Sequence, residues 1–450
     1  MKYKIIFILF FLFFICNCAT NKKTITETDY LKNIEEKTKN ELPAELSLND
    51  CIDLALKNNL AIRKSEMQKQ IAESDKNIAF SAFLPKINFT LGFKEWHYQP
   101  EQLAGPNTYR IIQDKSITDR AIEIQLPIIA PAAWFVYSSY KRGTELSDII
   151  KQYTAQMIKF QTILYYYKCL IAEENKNFLV SQINAAKALY SDFETRKNEN
   201  LLLDWQLEEL KVFLMSKYSE LNHYDRLRKI EGAKLLDILG YSPLADIKLK
   251  HQQELEMPKE TLTDLMLEAL KNNLSIKIAN KNLDISNEKI KIAISNFLPT
   301  LISFANFTHT NNEYTKYANQ TILGLSGVIS IFNGFKDIAE YQKARKSNEI
   351  YYLQMEEAML SVLLQVLETY NNLQDADETL KIIEKNLAVE TARLNNIKEK
   401  HKENLISSSE LLQVLANYDT VKSAFIKAQY NRQILIAALY NIINRNLKTN

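Results

Sequence analysis

The sequence predicts a mainly α-helical protomer with a small β part, built as a tandem repeat. Three observations carry that prediction. Glycine and proline are scarce, 8 and 9 in 450 residues, so long helices meet few interruptions. The words "ALKNNL" (Ala55–Leu60, Ala269–Leu274) and "FLP" (Phe83–Pro85, Phe297–Pro299) occur twice, in the same order and at the same separation. After each FLP, a short alternating run gives way to roughly 65 residues without proline.

The formal net charge is only +2, so no whole-chain field points to nucleic acid. At the start, Lys2 and Lys4 precede the apolar run Ile5–Ile15, which is shorter than a membrane span and reads as a secretory signal. The run ends in cysteines, like a bacterial lipoprotein signal. Residues 1–17 are the expected signal peptide, and Cys18 is the preferred acylation (palmitate-bearing) site because Ala19 and Thr20 follow it; Cys16 is the rival. Residues 18–45 are expected to be an extended, lipid-anchored segment. Cys51 and Cys169 fall inside helical patterns and read as buried thiols, not a disulfide framework.

Aligning the chain with itself matches Leu48–Pro85 to Leu262–Pro299 without a gap, with roughly 16 identities in 38 positions. Residues 46–255 and 256–450 are therefore two copies of one unit. Each copy opens with an amphipathic helix running to FLP, capped by Ser47 or Asn49 in the first and by Thr261 or Thr263 in the second. A β-hairpin follows, 86–127 and 300–331. "KINFTLGF" sets Ile87, Phe89, Leu91 and Phe93 against polar neighbours, and "AIEIQL" does the same with Ile122, Ile124 and Leu126. The second copy's strands are expected at Leu301–Phe307 and Leu323–Ile331.

Each hairpin leads into a long helix, about Ala132–Arg196 and about Phe335–Lys402, with apolar residues in a near 4-3 rhythm such as Tyr153, Met157, Phe160, Leu164, Tyr167 and Ile171. Both helices end at matching turns, near 197–204 and 402–409, where Glu199-Asn200-Leu201 aligns with Glu403-Asn404-Leu405. Asparagine tolerates the left-handed conformation that stops a helix. Asp204 and Ser407 or Ser408 are the expected caps of the returning helices.

Four strands cannot close a barrel, and lipid does not tolerate an open sheet edge. Yet each strand has one apolar and one polar face, and Trp96, Tyr98, Tyr109, Tyr314 and Tyr317 cluster near the strand ends as an interfacial girdle would. Three copies would supply about 12 strands, enough for an aqueous lumen. The expected assembly is a trimeric 12-stranded transmembrane β-barrel, continued by a long periplasmic α-helical barrel.

From about Leu46 to about Asn446 the chain resembles the TolC-like outer-membrane efflux proteins. The words that carry the resemblance are "LSLNDCIDLALKNNL…FLPKI", its second copy, and "ISIFNGFKDIAEYQKAR" (Ile329–Arg345), similar to the family's strand-to-helix junction. The resemblance implies a homotrimeric exit duct in the outer membrane. Its partners would be outer-membrane lipids, a periplasmic adaptor (membrane fusion protein) and an inner-membrane transporter of RND or ABC type. By position, the adaptor-binding tip would comprise Asn200, Leu201, Leu202, Asn404, Leu405 and Ile406, and the gate would comprise Glu410 and Gln413. At each tip, asparagine replaces the family's glycine.

An enzyme is not expected. The five histidines show no metal-ligand spacing, and neither a phosphate-binding glycine loop nor a nucleophile elbow occurs; no cofactor or metal follows from the pattern. Two other readings remain open from the residues alone. A structural coiled-coil surface lipoprotein would explain the rods but not the paired strands. A periplasmic adaptor lipoprotein would need one helical hairpin flanked by glycine-rich β-domains.

Overall fold

The computed structural model describes residues 26–200, 202–251, 254–403 and 405–447. Cys16, Cys18, Leu201 and Asn404, singled out above, lie outside the described residues.

The segment expected to run extended over 18–45 instead contains helix α1 (Glu27–Glu41). Its docking explains the departure. Thr26 caps its start by accepting from the Asp29 amide, Lys37 Nζ donates to Gly240 O at 3.0 Å, and Thr38 Oγ1 accepts from the Ser242 amide at 2.9 Å. A cation thus sits on the C-terminal carbonyls of a neighbouring helix, where the helix dipole favours it.

The helix expected to run unbroken to FLP is two helices, α2 (Leu48–Asn58) and α3 (Leu60–Phe80). Ser47 and Asp50 form a capping box at the start of α2. Asn59, in extended backbone geometry, ends α2 and begins α3, its side chain accepting from the Ala61 amide at 2.8 Å. The second copy repeats every feature. Thr261 and Asp264 box the start of α6 (Leu262–Asn272), and Asn273 caps α7 (Leu274–Ser295) through the Ser275 amide at 2.8 Å.

Past FLP the chain enters a four-stranded antiparallel sheet of order β1-β4-β5-β6, formed by Lys86–Glu95, Ser116–Ile129, Thr300–Thr310 and Asn319–Val328. Between β1 and β4, the stretch that joins the two expected strands folds as a small hairpin of its own, β2 (Glu101–Gly105) and β3 (Thr108–Ile111), turned at Asn107 with φ 61°. Strand β6 begins earlier and ends earlier than Leu323–Ile331. The reason lies at the junction, where Gly334 and Phe335 are both left-handed (φ 57° and 62°) and turn the chain into the next helix.

Two rods descend from the sheet, α4 (Pro131–Asn198, 68 residues) and α8 (Lys336–Lys402, 67 residues). At about 1.5 Å per residue each is roughly 100 Å long. The returning helices are α5 (Asp204–Leu239) and α9 (Ser408–Ile442), about half that length. Each is completed by the shorter helix of its own copy. Helix α5 ends at Gly240 (φ 74°), with the Tyr241 amide bonded back to Leu236 O, against the point where α3 begins. Helix α9 ends the same way at Asn444 (φ 53°), with the Arg445 amide on Tyr440 O, against the start of α7. The main core fills this waist, drawing Leu48 and Cys51 from α2, Tyr166 and Tyr167 from α4, Leu235 and Leu239 from α5, and Leu439 and Tyr440 from α9. A second core lies near the turns, around Phe193, Leu210, Leu394 and Leu411.

Cys51 and Cys169 are free and buried, and burial pushes both thiols up to about 12, which keeps them protonated and unreactive. Among the described residues, no helix is long and apolar enough to cross a membrane.

Candidate functional site: an open sheet and a two-turn tip

Register assigns each strand residue to a face, because residues directly opposite in an antiparallel pair point the same way. Ile87, Phe89 and Phe93 of β1 lie opposite Ile124, Ile122 and Thr118 of β4. Ile122 and Ile124 lie opposite Phe307 and Ala305 of β5, and Ala305 lies opposite Leu323 of β6. That face is open and largely apolar, with Ile87, Phe89, Phe93, Leu323 and Leu325 each about two-thirds exposed, and it carries the exposed Arg120 and His309 opposite each other beside Leu91.

The other face carries Asn88 opposite Glu123, Glu123 opposite Asn306, and Thr308 opposite Gln320. Gln125 Nε2 donates to Glu123 Oε1 at 2.7 Å across this polar surface. On the same side, Gly324 leaves room for the Phe304 ring, which a Cβ there would meet at 2.5 Å. Among the described residues, strands β1 and β6 each have one neighbour in the sheet, so both outer ladders are open there.

The aromatic residues picked from the sequence stand where the strands end. Trp96, Tyr98, Tyr109, Tyr314 and Tyr317 are exposed beyond or beside the strand ends on the side away from the rods. A second aromatic group marks the opposite end. Phe83 packs on Trp134 at 4.8 Å, Phe80 and Tyr137 adjoin them, and Phe332 meets Phe335 edge-on at 5.2 Å. The apolar face of the sheet therefore lies between two aromatic levels.

At the far end, the two turns sit side by side. Asn200 is left-handed (φ 56°), and its amide bonds to Lys197 O at 2.9 Å. Leu202 is half-buried against the lower core, whereas Leu203 and Trp205, which sequence reasoning did not select, are exposed there. In the second turn Leu405 is 66% exposed, Ile406 is half-buried, and the Leu405 amide bonds to Lys400 O. Ser407 caps α9 through the Glu410 amide, as anticipated. Asp204 does not cap α5. Leu203 holds that position, its amide bonded to Gln206 Oε1 at 2.9 Å, and Asp204 pairs with Lys197 instead.

Helices α5 and α9 are cross-linked above the turns by three polar rungs. Ser409 donates to Glu209, Lys217 Nζ meets Asp419 at 2.9 Å, and the Tyr224 and Ser423 hydroxyls are 3.1 Å apart. Lys217 and Asp419 are both buried, and burial lifts the Asp419 carboxyl above its ordinary range despite the ammonium beside it. Glu410 and Gln413 point away from this zipper. With Asn417 and Thr420 they form an exposed polar stripe along one flank of α9. His401, beside the second turn, is buried and stacked on Phe193, with Nε2 3.4 Å from Ser408 Oγ. Among the described residues, no group of three or more candidate ligands could hold a metal ion.

Comparison with known proteins agrees with this arrangement. Residues 265–445, nearly all of the second copy, match the family described as outer membrane efflux protein. The chain is 21% identical over 397 residues to the outer membrane protein TolC of Escherichia coli (strain K12), covering 83% of this chain and 77% of that one. It is 22% identical to TolC of Salmonella enteritidis over 70% of this chain, and the match spans 65% of the relative's length. The crystal structure of the outer membrane protein VceC of Vibrio cholerae shares the fold, with a TM-score of 0.76 at 13% identity, covering 89% of this chain and 96% of that one.

Proposed function

We propose that the chain is a TolC-like outer membrane efflux protein and that three copies form the outer-membrane exit duct of a tripartite efflux or type I secretion system. The observation that supports this best is the sheet, with one apolar face, one polar face and two open edges. In lipid, every backbone N–H and C=O must be paired, so β6 of one copy would continue into β1 of the next until the ring closes. Three copies then give twelve strands with the polar face inward and the apolar band against lipid. The rods carry the lumen roughly 100 Å into the periplasm.

Cargo would pass without chemistry in this chain, delivered by an inner-membrane transporter through a periplasmic adaptor. In this reading the adaptor meets the tip at Asn200, Leu201, Leu202, Asn404, Leu405 and Ile406, beside the exposed Leu203 and Trp205. Glu410 and Gln413 from three copies would ring the axis and act as a gate, and acylation of Cys18 would tether each chain to the membrane.

Two measurements on the purified, lipidated protein test the proposal together: the oligomer mass in detergent, and conductance in planar bilayers. A trimer that conducts is the expected result. A monomer that never conducts, including with Glu410 substituted, would overturn it.

A further inference from the structure

Charge is distributed unevenly over the two faces of the sheet. On the polar face, Lys94 Nζ is 3.2 Å from Asp119, so each of these ions has a partner. Arg120, the next residue, falls on the other face, because side chains alternate along a strand. There it stands opposite Leu91 of β1 and His309 of β5, and His309 stands opposite Asn319 of β6. One row across all four strands therefore reads Leu91-Arg120-His309-Asn319. The next row toward the rods on this face holds Phe89, Ile122 and Phe307.

Nothing on that face neutralises the arginine. Arg120 is exposed, and among the described residues it has no ion-pair partner. The one acid on the same face of the four strands is Glu95. It lies opposite Ser116, four residues farther along β1 than Leu91 and about 13 Å away. His309 Nδ1 is 2.8 Å from Asn319 Oδ1, which places the ring proton on Nδ1 and leaves Nε2 without a partner among the described residues. The row also has a defined level. His309–Asn319 is the last pair of the β5–β6 hairpin, and the exposed Tyr314 and Tyr317 occupy its turn. Tyrosines placed so mark the boundary between acyl chains and headgroups around a membrane barrel, and that is where lipid phosphates lie.

We infer that Arg120, with His309 beside it, is a binding site on the outside of the barrel for the phosphate of a membrane lipid, one per copy. The inference rests on the duct reading above, which turns this face to lipid. A guanidinium offers paired N–H donors that match two phosphate oxygens, and its stem can lie along an apolar neighbour such as Leu91. His309 adds a second donor, at Nε2, when its ring is protonated. An arginine facing lipid is costly at the bilayer midplane and nearly free at its boundary, so this row is where the barrel can hold one. The acyl chains of the same lipid would cover the Phe89–Ile122–Phe307 row, a contact that free phosphate lacks.

The test uses the full-length protein, purified, stripped of lipid in detergent and titrated by native mass spectrometry. The probes are phosphatidic acid and diacylglycerol of the same acyl chains. Phosphatidic acid is expected to bind about tenfold tighter, up to three per trimer. Arg120→Gln should remove that preference, and Arg120→Lys, which keeps the charge without the fork, should fall between. Arg110→Gln, in the β2–β3 hairpin outside this face, should change nothing. Inorganic phosphate at millimolar concentration should not displace the lipid; displacement would assign the site to the free ion and overturn the lipid reading. A conducting trimer that binds both lipids equally, or whose preference survives Arg120→Gln, overturns the site and leaves the duct standing. A monomer that never conducts overturns both.

Discussion

Asn59 Nδ2 donates to the carbonyl of Ile238 at 3.0 Å, while its Oδ1 accepts from the Ala61 amide. One side chain therefore caps the start of α3 and satisfies a terminal carbonyl of α5. Asn273 does the same for α7 and α9, reaching Ile442 O at 2.8 Å. The repeated word "KNNL" is this joint, and it lets two short helices stand end to end beside one rod. Asn59→Ala should cost about 2 kcal/mol, a lost cap plus a buried carbonyl left unpaired. Asn59→Asp keeps the cap acceptor but not the donor and should fall between. Amide exchange at the first turn of α3 reads the effect, and unchanged protection in the alanine variant would show that the joint is held elsewhere.

Lys217 and Asp419 form a buried ion pair between α5 and α9. Asp419→Ala leaves the ammonium with only the half-exposed Glu220 and should weaken the contact between the two hairpins by about 3–5 kcal/mol. Lys217→Met with Asp419→Leu should recover most of that. Protease cleavage rates at the two turns compare the variants. Equal rates in the single and double variants would contradict the assignment.

His401 is expected to make the region beside the second turn sensitive to acid. Burial, and then the nearby Arg196 guanidinium, hold its imidazole below the ordinary histidine value, opposed by Asp192. Lys398, Glu399 and Lys402 line the same groove. A depressed histidine stabilises the fold fully above its unfolded value of about 6.5, and that stability drains as pH falls toward the folded value. Amide exchange over residues 397–403 and 405–412, corrected for intrinsic rates, should therefore accelerate as pH falls below about 6.5. His401→Gln should abolish the difference, and a persistent pH effect in that variant would point to another group.

Glu410 is exposed on the polar stripe of α9. In a three-copy ring its carboxylates would attract cations, so Glu410→Gln should lower cation selectivity or divalent-ion block about twofold. Gln413→Glu should raise both. Reversal-potential measurements in planar bilayers decide, and no change in either variant would remove these residues from the gate.

Much of the fold is legible in the sequence because it is local chemistry written twice. The capping boxes at Ser47 and Thr261, the left-handed Asn200 and the alternation of Ile87 to Phe93 each follow from a few neighbouring residues. The break at Asn59 escaped notice because no glycine or proline marks it, and its cause is the distant Ile238 carbonyl. Helix α1 was missed for the same reason, since its anchors Gly240 and Ser242 lie some two hundred residues away. The β2–β3 hairpin did carry a signal, the "GPN" turn at Gly105–Asn107. At the first turn, the exposure of Leu203 and Trp205 is not legible in the sequence, because aligning the turns on their asparagines says nothing of which neighbouring side chains face solvent.

The bare ladders of β1 and β6 also bear on how the molecule reaches its working state. A lone chain entering hydrocarbon would strand two rows of unpaired amides and carbonyls, each costing several kcal/mol. If three copies close the ring as proposed, closure and insertion would be concerted, and their combined kinetics should be steeply concentration-dependent, approaching third order in chain. Tethering at the membrane surface would raise that local concentration before a single strand is committed.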